Sequence, residues 1–399
     1  MIDPGTIASS PATAVGCRSG RVTATCVRSS AALEQLAGEW REFFRGIGCQ
    51  NAFLSVDWME PWWRQWGSCH RLLVITLRNR EGRLLAVAPF YIRRSRLGAL
   101  GPRALCFLGN QWVASDHLNI LVDPEYEQGA IEAIVCVVKE HHAEWDYIEL
   151  GSIGEDSPLL TNLRQQFKNL GMKEQVLRSI ICPYLPLPAS FDAYLVSVSK
   201  NLRYNYRRRR RALERDAEIE FVVLQSEAEL KGRFDEFVQL HRLRFKERRK
   251  YSSFLTRRMQ EFFSEAFPRL AADGLVRLFL LQVNGKAVAG LFGFSTGKRF
   301  AFYQCGMDPA LSRLSIGLVM MGCSIEEAIR TGHEEFDFLR GQEAYKFQWT
   351  NKSRRVVTIA LFDNRLRSQL AQPYVWAREC VERLVRRCIL PVLGLLHAR

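Results

Sequence analysis

The sequence predicts a mixed α/β (α+β) fold made of two related domains. Its 399 residues, 47% of them hydrophobic and 25% charged, are typical of a globular chain that can fill two hydrophobic cores. Segments with strand-like and helix-like apolar spacing alternate along the chain. The second half repeats the order of the first: a hairpin turns at Gly82 and again at Gly285, and a later strand contains Asp146 or Asp337. This repetition indicates a tandem duplication.

The elements of the first half follow from local patterns. Residues 23–27 predict a short strand, and apolar residues at helical spacing predict a helix over 33–44. A second helix covers 57–66, with Asp57 as the expected N-cap and its tryptophans assigned to the core rather than to a stacking surface. The remaining elements are a hairpin of 72–77 and 84–92, strands at 104–108, 118–122, 145–150 and 175–181, and helices at 127–141 and 159–170.

The second half follows a proline-rich segment at 182–188, which predicts an extended linker. Its elements are helices at 199–215 and 316–330, a hairpin of 278–283 and 287–294, and strands at 300–305, 335–339 and 356–362. The predicted organisation is a disordered N-terminus at 1–22, domains at 23–182 and 183–365, and a basic amphipathic C-terminal helix at 366–399.

The net charge and the cysteine content limit the classes of binding partner and the cellular compartment that we expect. The net charge of +14 predicts attraction to polyanions, without choosing among nucleic acid, anionic lipid and phosphorylated ligands. The cysteines show no CxxC pair and are expected as reduced thiols; those with apolar neighbours are Cys49, Cys106, Cys136, Cys182, Cys305 and Cys323. With no signal-peptide pattern and no apolar run of about 20 residues, a cytoplasmic protein is expected. Peripheral contact with the inner membrane face through basic segments stays an open alternative.

The run 199–215 is the most conspicuous basic segment. Ser199 is a suitable N-cap, and the apolar residues of the run lie near one helical face, so a helix is predicted rather than a disordered arm. Tyr204 and Tyr206 would stack on bases if the ligand is nucleic acid. The candidate substrate-binding or polyanion-binding residues are Asn201, Arg203, Arg207 and Arg208. A second basic cluster at 242–250 would add to one positive surface. A polyanionic cofactor, a lipid and a merely solvated face are the alternatives.

Two other segments carry polar groups where a strand ends. After residues 306–312, Arg313 stands beside a predicted helix start at about Ser315, where backbone N–H groups would suit a phosphate. After the strand at 336–339, Arg340-Gly341 breaks the chain and a cluster of Gln342, Glu343, Tyr345 and Lys346 follows. No metal-ligand spacing, GxSxG, Walker A or GxGxxG pattern occurs, so no metal is expected.

These motifs resemble a known family. The helix at 201–211, the Gly-Leu-Phe-Gly-Phe strand at 290–294 and, above all, Phe-Asp-Phe-Leu-Arg-Gly at 336–341 with Tyr-Lys-Phe-Gln-Trp at 345–349 resemble the CelD/BcsL-type acetyltransferase domain of the GNAT (Gcn5-related N-acetyltransferase) superfamily. The duplication is similar to that of FemABX peptidyltransferases, which have two GNAT-like domains and take aminoacyl groups from tRNA. The resemblance implies two tandem GNAT-like domains, each a mixed, mostly antiparallel sheet flanked by helices.

The resemblance also implies a cofactor and its site. Acetyl-CoA or another acyl-CoA would be the acyl donor, with its pantetheine between two splayed strands and its phosphates at a helix start. For the pantetheine this corresponds to Tyr303, Gln304, Cys305, Gly306 and Met307, and for the phosphates to Arg313, Ser315, Ile316, Gly317 and Leu318. The segment 313–317 keeps only part of the Gln/Arg-x-x-Gly-x-Gly/Ala motif that is usual there.

The expected reaction is direct attack of an acceptor amine or hydroxyl on the thioester carbonyl. Asp337 and Glu343 are the candidate bases. Lys346, by analogy with FemABX enzymes, would stabilise negative charge, and Tyr345 or Arg340 would orient the acceptor. A structural role is the alternative for each residue.

Three functions follow as hypotheses. The first is an acyltransferase acting on a saccharide or other small-molecule acceptor: a polysaccharide, its precursor or another cell-envelope metabolite. The second is a FemABX-like transferase that uses aminoacyl-tRNA. The third is a non-catalytic module that binds nucleic acid or membrane through residues 207–211. The N-terminal domain has residues 151–156 where the second has Tyr345-Lys346, so it is expected to shape the acceptor cleft.

Overall fold

The computed structural model describes residues 13–15, 22–95, 97–110, 112–247, 254 and 256–385. The chain forms two compact units. Unit 1 comprises residues up to 49, 53–178 and 357–375, and unit 2 comprises 50–52, 179–356 and residues from 376 onward. Both contain a mixed sheet flanked by helices, so the predicted mixed α/β fold is confirmed.

Unit 1 has a mostly antiparallel sheet. Its strands run β1-β2-β3-β4-β5 with antiparallel pairing, and β7 then pairs with β5 in parallel. The elements are β1 (Thr13–Val15), β2 (Thr23–Val27), α1 (Ser30–Gly46), α2 (Val56–Trp66), β3 (Arg71–Arg78), β4 (Leu84–Arg93), β5 (Ala104–Phe107), β6 (Leu121–Val122), α3 (Glu127–Glu140), β7 (Tyr147–Gly154) and α4 (Pro158–Asn169).

Unit 2 repeats this pattern. Strands β9-β10-β11-β12 pair antiparallel, and β13 pairs with β12 in parallel, as β7 pairs with β5. The elements wholly within unit 2 are α5 (Phe191–Ser197), α6 (Lys200–Asp216), β9 (Ile219–Leu224), α7 (Glu227–Glu247), α8 (Arg257–Ala272), β10 (Val276–Val283), β11 (Lys286–Thr296), β12 (Arg299–Met307), α9 (Ile316–Arg330) and β13 (Glu335–Asp337). Three elements have residues in both units: β8 (Lys173–Pro186), β14 (Ser353–Phe362) and α10 (Leu366–Leu384). Equal strand order and equal helix placement confirm the predicted tandem repeat.

Strands β8 and β14 cross the division between the units. Residues 184–186 of β8 pair with β13 inside unit 2. Residues 357–375 belong to unit 1, where β14 lies next to β7 and the ring of Phe362 stacks on Tyr147 with centroids 5.6 Å apart. Unit 1 therefore includes residues of β14, which follow the second repeat in the sequence, and unit 2 includes residues of β8, which precede that repeat.

Helix α2 shows how local sequence fixes an element. Ser55, rather than the predicted Asp57, is the N-cap: its hydroxyl accepts a hydrogen bond from the Asp57 backbone N–H over 3.2 Å. Asp57 lies in the first turn and forms an ion pair with Arg41 at 2.7 Å. The tryptophans of the helix are buried, as the sequence predicts.

Several element boundaries differ from the predictions. The expected linker at 182–188 is mostly strand β8, because Tyr184 and Leu185 pair with β13 and the Pro183 carbonyl accepts a hydrogen bond from Phe338. The strand predicted at 118–122 is reduced to Leu121–Val122, since His117 adopts a φ of +55°. Cys136, expected in the core, is exposed.

The two predicted chain ends are described only in part. Of residues 1–22, predicted disordered, Thr13–Val15 form a strand. Residues 1–12 and 16–21 lie outside the described residues, as does the end of the predicted C-terminal helix from 386 onward. The part of that helix that the structure describes is α10.

Candidate functional site

A cleft opens in unit 2 where two parallel strands separate. Strand β12 pairs with β13 only from Arg299 to Ala301. Beyond that point β12 continues to Met307, whereas the chain after β13 turns away through Leu339, which has a φ of +53°. The free side of β12 therefore borders an opening instead of a neighbouring strand.

Helix α9 begins at this opening. The Asp308 side chain accepts a hydrogen bond from the Ala310 N–H over 3.0 Å and starts a short 3-10 helix. Ser315 then takes a left-handed φ of +57°, and α9 starts at the next residue. A Cβ at Gly317 would lie 2.8 Å from Met307 Cε, so a larger residue at the start of α9 would require the Met307 side chain to move.

The resulting cleft has a volume of about 260 Å³. It brings together most of the residues predicted for the cofactor and one predicted catalytic residue: Cys305, Gly306, Met307, Ser315, Ile316, Gly317, Leu318 and Tyr345. Three of the residues predicted for the cofactor do not line the cleft. Tyr303 packs on Phe294 with centroids 5.3 Å apart, the Gln304 amide contacts His241 at 3.0 Å, and the Arg313 carbonyl accepts a hydrogen bond from Arg209.

Helix α7 contributes a lining residue from the other face of the sheet. A Cβ at Gly306 would collide with the His241 backbone, and one at Gly290 would lie 2.9 Å from Phe237, so α7 packs directly on these glycines. The adjacent Leu291 belongs to the core that contains α9. Because side chains alternate between faces along a strand, α7 and α9 cover opposite faces. Arg244 of α7 nevertheless lines the cleft.

Arg244 is the functional candidate that the sequence interpretation missed. It was grouped with the basic surface cluster at 242–250, yet only 6% of the residue is exposed; residues 248–250 of that cluster lie outside the described residues. One signal could have identified Arg244. Phe237, Leu240, His241 and Arg244 follow the i, i+3, i+4, i+7 spacing of the buried face of α7.

The Arg244 guanidinium lies among uncharged groups. Its Nη1 donates to the Cys305 carbonyl at 3.3 Å and contacts the Cys305 sulfur, and its Cζ lies 5.9 Å from the centroid of the Tyr345 ring. Burial lowers the pKa of Arg244, but Cys305 and Tyr345 together raise it by more, so the side chain is a cation. Burial also raises the pKa of the Tyr345 phenol well above its usual range, although Arg244 lowers it in part, and the phenol stays protonated at neutral pH.

Lys346 is buried and does not line the 260 Å³ cleft. Its Nζ donates to the Arg340 carbonyl at 2.7 Å and lies 3.1 Å from the Glu343 carboxylate, which is half exposed. The structure thus brings Lys346, Glu343 and the Arg340 backbone together in one loop. These contacts hold the loop that presents Tyr345 to the cleft.

Asp337 is fully buried on β13. One carboxylate oxygen accepts a hydrogen bond from the Leu339 N–H at 2.8 Å, and the other is paired with Arg354. Arg354 also binds Glu335 at 2.6 Å and lies over the Tyr184 ring. This environment favours the structural interpretation of Asp337 over that of a catalytic base.

A second cleft of about 630 Å³ adjoins the first. The two share Leu318, Gln348 and Trp349 in their linings. The second cleft is lined by carboxamides, hydroxyls, aromatic rings, aliphatic side chains and Lys352; its amide side chains are Asn201, Asn205, Gln348 and Asn351. Asn201, a predicted binding residue, brings no charge to this site, and its Oδ1 accepts a hydrogen bond from Asn205 at 2.8 Å.

Helix α6 borders the second cleft and carries a basic outer face. Ser199 is its N-cap, as predicted, and accepts a hydrogen bond from the Leu202 N–H. Tyr206 is buried against α9, contrary to its expected stacking role, because Gly322 leaves space for its ring. Tyr204 is exposed, with the Arg208 guanidinium 5.6 Å from its ring centroid. The cations of the outer face are Lys200, Arg203, Arg207, Arg208, Arg211 and Arg215.

Helices α6 and α9 run side by side in the same direction. Leu202 and Leu318 line the same cleft, Tyr206 packs on Gly322, and Arg210 pairs with Glu326 at 2.6 Å. Their N-termini therefore lie at the same end, beside the two clefts. The positive ends of two helix dipoles meet there.

Within the described residues, no group of three or more His, Cys, Asp and Glu side chains is placed to hold a metal ion. Across the same ranges, no helix combines the length and apolar character that crossing a bilayer requires.

Comparison with known proteins agrees with this geometry. Residues 200–347 match the sequence profile described as acetyltransferase (GNAT) domain. A search of curated protein sequences gives no significant match. Among solved structures, FemX is similar with a TM-score of 0.58 and 15% identity over 86% of this chain and 98% of FemX. The C-terminal domain of a putative lysylphosphatidylglycerol synthetase from Agrobacterium fabrum is similar with a TM-score of 0.53 and 12% identity, over 86% of this chain and 96% of that domain.

At these identities the two structures show a shared fold and nothing further. The sequence match adds the domain type. The segment from Lys200 through the cleft to Phe347 is similar to GNAT acetyltransferase domains.

Proposed function

We propose that this protein is an acyl-CoA-dependent acyltransferase that transfers the acyl group directly to an acceptor amine or hydroxyl. The observation that carries the proposal is the 260 Å³ cleft between the separating strands β12 and β13 and the start of α9, inside the domain that matches GNAT acetyltransferases. A narrow opening beside an unpaired strand suits an extended pantetheine chain, whose amides can bond to the free strand edge.

The helix starts support a phosphorylated donor. Two helix N-termini, those of α6 and α9, present backbone N–H groups and positive dipole ends beside the clefts. The cations of α6 add to this field. A CoA molecule would place its diphosphate here and its thioester towards Tyr345 and Arg244.

The catalytic roles follow from burial. Tyr345 lines the cleft as a neutral phenol, so it can donate a hydrogen bond to the leaving thiolate. Glu343 is the candidate base, because its carboxylate is half exposed whereas Asp337 is buried and paired. Lys346 positions the loop through the Arg340 carbonyl.

The second cleft supports a neutral, hydroxyl-rich acceptor such as a polysaccharide, its precursor or another cell-envelope metabolite. Carboxamides donate and accept hydrogen bonds to hydroxyls, and Trp349 and Phe347 offer aromatic surface for a sugar ring. The shared residues Leu318, Gln348 and Trp349 would bring acceptor and donor together.

Calorimetric titration with CoA, acetyl-CoA and longer acyl-CoAs tests the proposal. We expect saturable binding in the micromolar range with one donor per chain. A folded protein that binds none of these ligands would overturn the proposal.

The basic face of α6 favours a second candidate, a FemABX-like transferase that uses aminoacyl-tRNA. Six cations and the exposed ring of Tyr204 form a surface that suits a phosphate backbone with stacked bases. Binding of aminoacyl-tRNA that weakens steeply with salt, and that is lost on reversing the charges of Arg207, Arg208 and Arg211, would support this candidate over the first.

A further inference from the structure

Arg244 is buried and has no carboxylate partner among the described residues, whereas the partly buried Arg93 and Arg354 each have one. Arg93 pairs with Glu149 at 2.7 Å, and Arg354 pairs with Glu335 and Asp337. Among the residues that the structure describes, Arg244 forms no ion pair; its neighbours are a backbone carbonyl, a thiol and a phenol. Its buried Nε has no hydrogen-bond partner in that set either.

An unpaired buried charge is unfavourable for folding, because desolvation is not compensated by an opposite charge. Neither the Cys305 carbonyl nor the Tyr345 phenol, which burial keeps protonated, supplies that charge. Arg244 does, however, line the 260 Å³ cleft, where a ligand can reach it. An anion brought by the ligand would complete the site.

The other residues that line the cleft indicate where this anion would lie and how long the acyl chain that carries it would be. The start of α9 occupies one part of the cleft and suits the phosphates, so the acyl end of the donor lies towards Arg244 and Tyr345. The lining also includes the apolar side chains of Leu291, Met320 and Met321, which would contact methylene groups. Because the 260 Å³ cleft would hold part of the pantetheine as well, it favours a short acyl chain.

We infer that Arg244 binds a carboxylate at the end of a short acyl chain, so that the donor is a CoA thioester of a dicarboxylic acid. This inference rests on the proposed acyltransferase function and specifies its donor. The guanidinium would form charge-assisted hydrogen bonds with the carboxylate. The carboxylate takes no part in bond changes: the acceptor nitrogen or oxygen bonds to the thioester carbon, the carbon–sulfur bond breaks, and the acceptor proton leaves with the CoA thiol.

Titration with succinyl-CoA and butyryl-CoA tests this specificity, because both carry four-carbon chains and differ at the carboxylate. The native protein should bind succinyl-CoA at least tenfold more tightly. Arg244→Met should abolish the preference while retaining butyryl-CoA binding, and Arg244→Lys should keep part of it. Arg242→Met is the matched control: it lies on the same helix, binds the Phe254 carbonyl at 3.0 Å and does not line the cleft, so its preference should equal that of the native protein.

Equal affinities in the native protein, or a preference that persists in Arg244→Met, would overturn the inference and leave the acyltransferase proposal intact. Failure of both thioesters to bind the native protein would overturn both. If Arg244→Met does not fold, the native protein and Arg244→Lys still test the inference. A native preference for succinyl-CoA that is partly lost in Arg244→Lys supports it, and equal affinities for the two thioesters in the native protein contradict it.

Discussion

His241 is the neighbour of Arg244 on the buried face of α7 and is itself fully buried. Its Nε2 lies 3.0 Å from the Gln304 amide oxygen, its ring stacks on Phe245 at 4.2 Å, and Phe254 meets it edge-on. Burial lowers its pKa to about 4 from an ordinary value of 6.5; the Gln304 hydrogen bond opposes this shift and the charge of Arg244 adds to it. The folded protein therefore holds His241 as a neutral imidazole.

The pKa of His241 predicts acid lability. Since the folded-state pKa lies below the unfolded one, the unfolded state binds the proton first, and the free energy of unfolding falls as pH drops from 6.5 towards 4. The full loss attributable to this group is on the order of 3 kcal/mol. Denaturant unfolding at stepped pH should show this slope in the native protein and a shallower one in His241→Gln. Parallel slopes in the two proteins would contradict the assignment.

The sequence predicts which residues belong to the site better than it predicts the direction of their side chains. The sequence identified Tyr345, Cys305 and Gly317, since each stands in a motif at a strand or helix end, and the structure places all three in one cleft. It groups Arg244 with a basic surface and assigns Lys346 to the stabilisation of negative charge. In the structure both are buried: Arg244 lines the cleft, and Lys346 bonds to the Arg340 carbonyl. A charge pattern does not show which face of α7 packs on Gly306.

At the scale of elements, the cleft depends on how α9 begins. The sequence predicts the strand before the loop and the helix after it, and both are confirmed. It does not predict where β13 ends, because Phe338 and Leu339 continue the apolar pattern and only the positive φ of Leu339 turns the chain away. The separation of β12 from β13 is a tertiary property.

Gly317 links the geometry of α9 to ligand binding. A valine at this position would displace the flexible side chain of Met307, and both residues line the cleft, so the substitution changes the shape of the cleft. We expect Gly317→Val to weaken acyl-CoA binding at least tenfold while lowering the melting temperature by only a few degrees, about what a β-branched residue costs in a helix. Calorimetric titration and thermal unfolding, measured on the same preparation, give the two quantities.

Gly232→Val provides the matched control for that substitution. Gly232 lies inside α7, and a Cβ added there would have no atom within 4 Å, so the same change in side chain meets open space. It should leave acyl-CoA affinity unchanged. Equal loss of affinity in both variants would mean that the effect is not local to the cleft.

At the scale of the whole molecule, the repeat is not a pair of consecutive autonomous segments. Unit 1 needs residues 357–375, which follow the second repeat in the chain. Within unit 1 these residues place β14 beside β7, stack Phe362 on Tyr147, and set Arg365 over the Trp145 ring at 4.6 Å. The periodicity of the sequence reveals the repeat. It does not reveal that β14 belongs with the first repeat, because the apolar pattern of a strand does not show which other strand it pairs with.

Division of the chain tests the exchange. A fragment of residues 1–178 keeps β5 beside β7 but lacks β14 on the other side, and it exposes the apolar surface that Phe362 covers. We therefore expect it to aggregate or to unfold without a cooperative transition. Joining residue 178 to residues 357–375 through a flexible Gly/Ser linker should restore a cooperative thermal transition by circular dichroism and a monomeric elution volume. The linked fragment with Phe362→Ala and Arg365→Ala should lose much of that gain. The linker and the length are unchanged, and the substitutions remove the Phe362 ring contact and the contacts of Arg365 with the Trp145 ring, the Asp363 carboxylate and the His142 and Trp145 carbonyls. A fragment 1–178 that unfolds as cooperatively as the linked one would show that the first repeat folds without its exchanged strand.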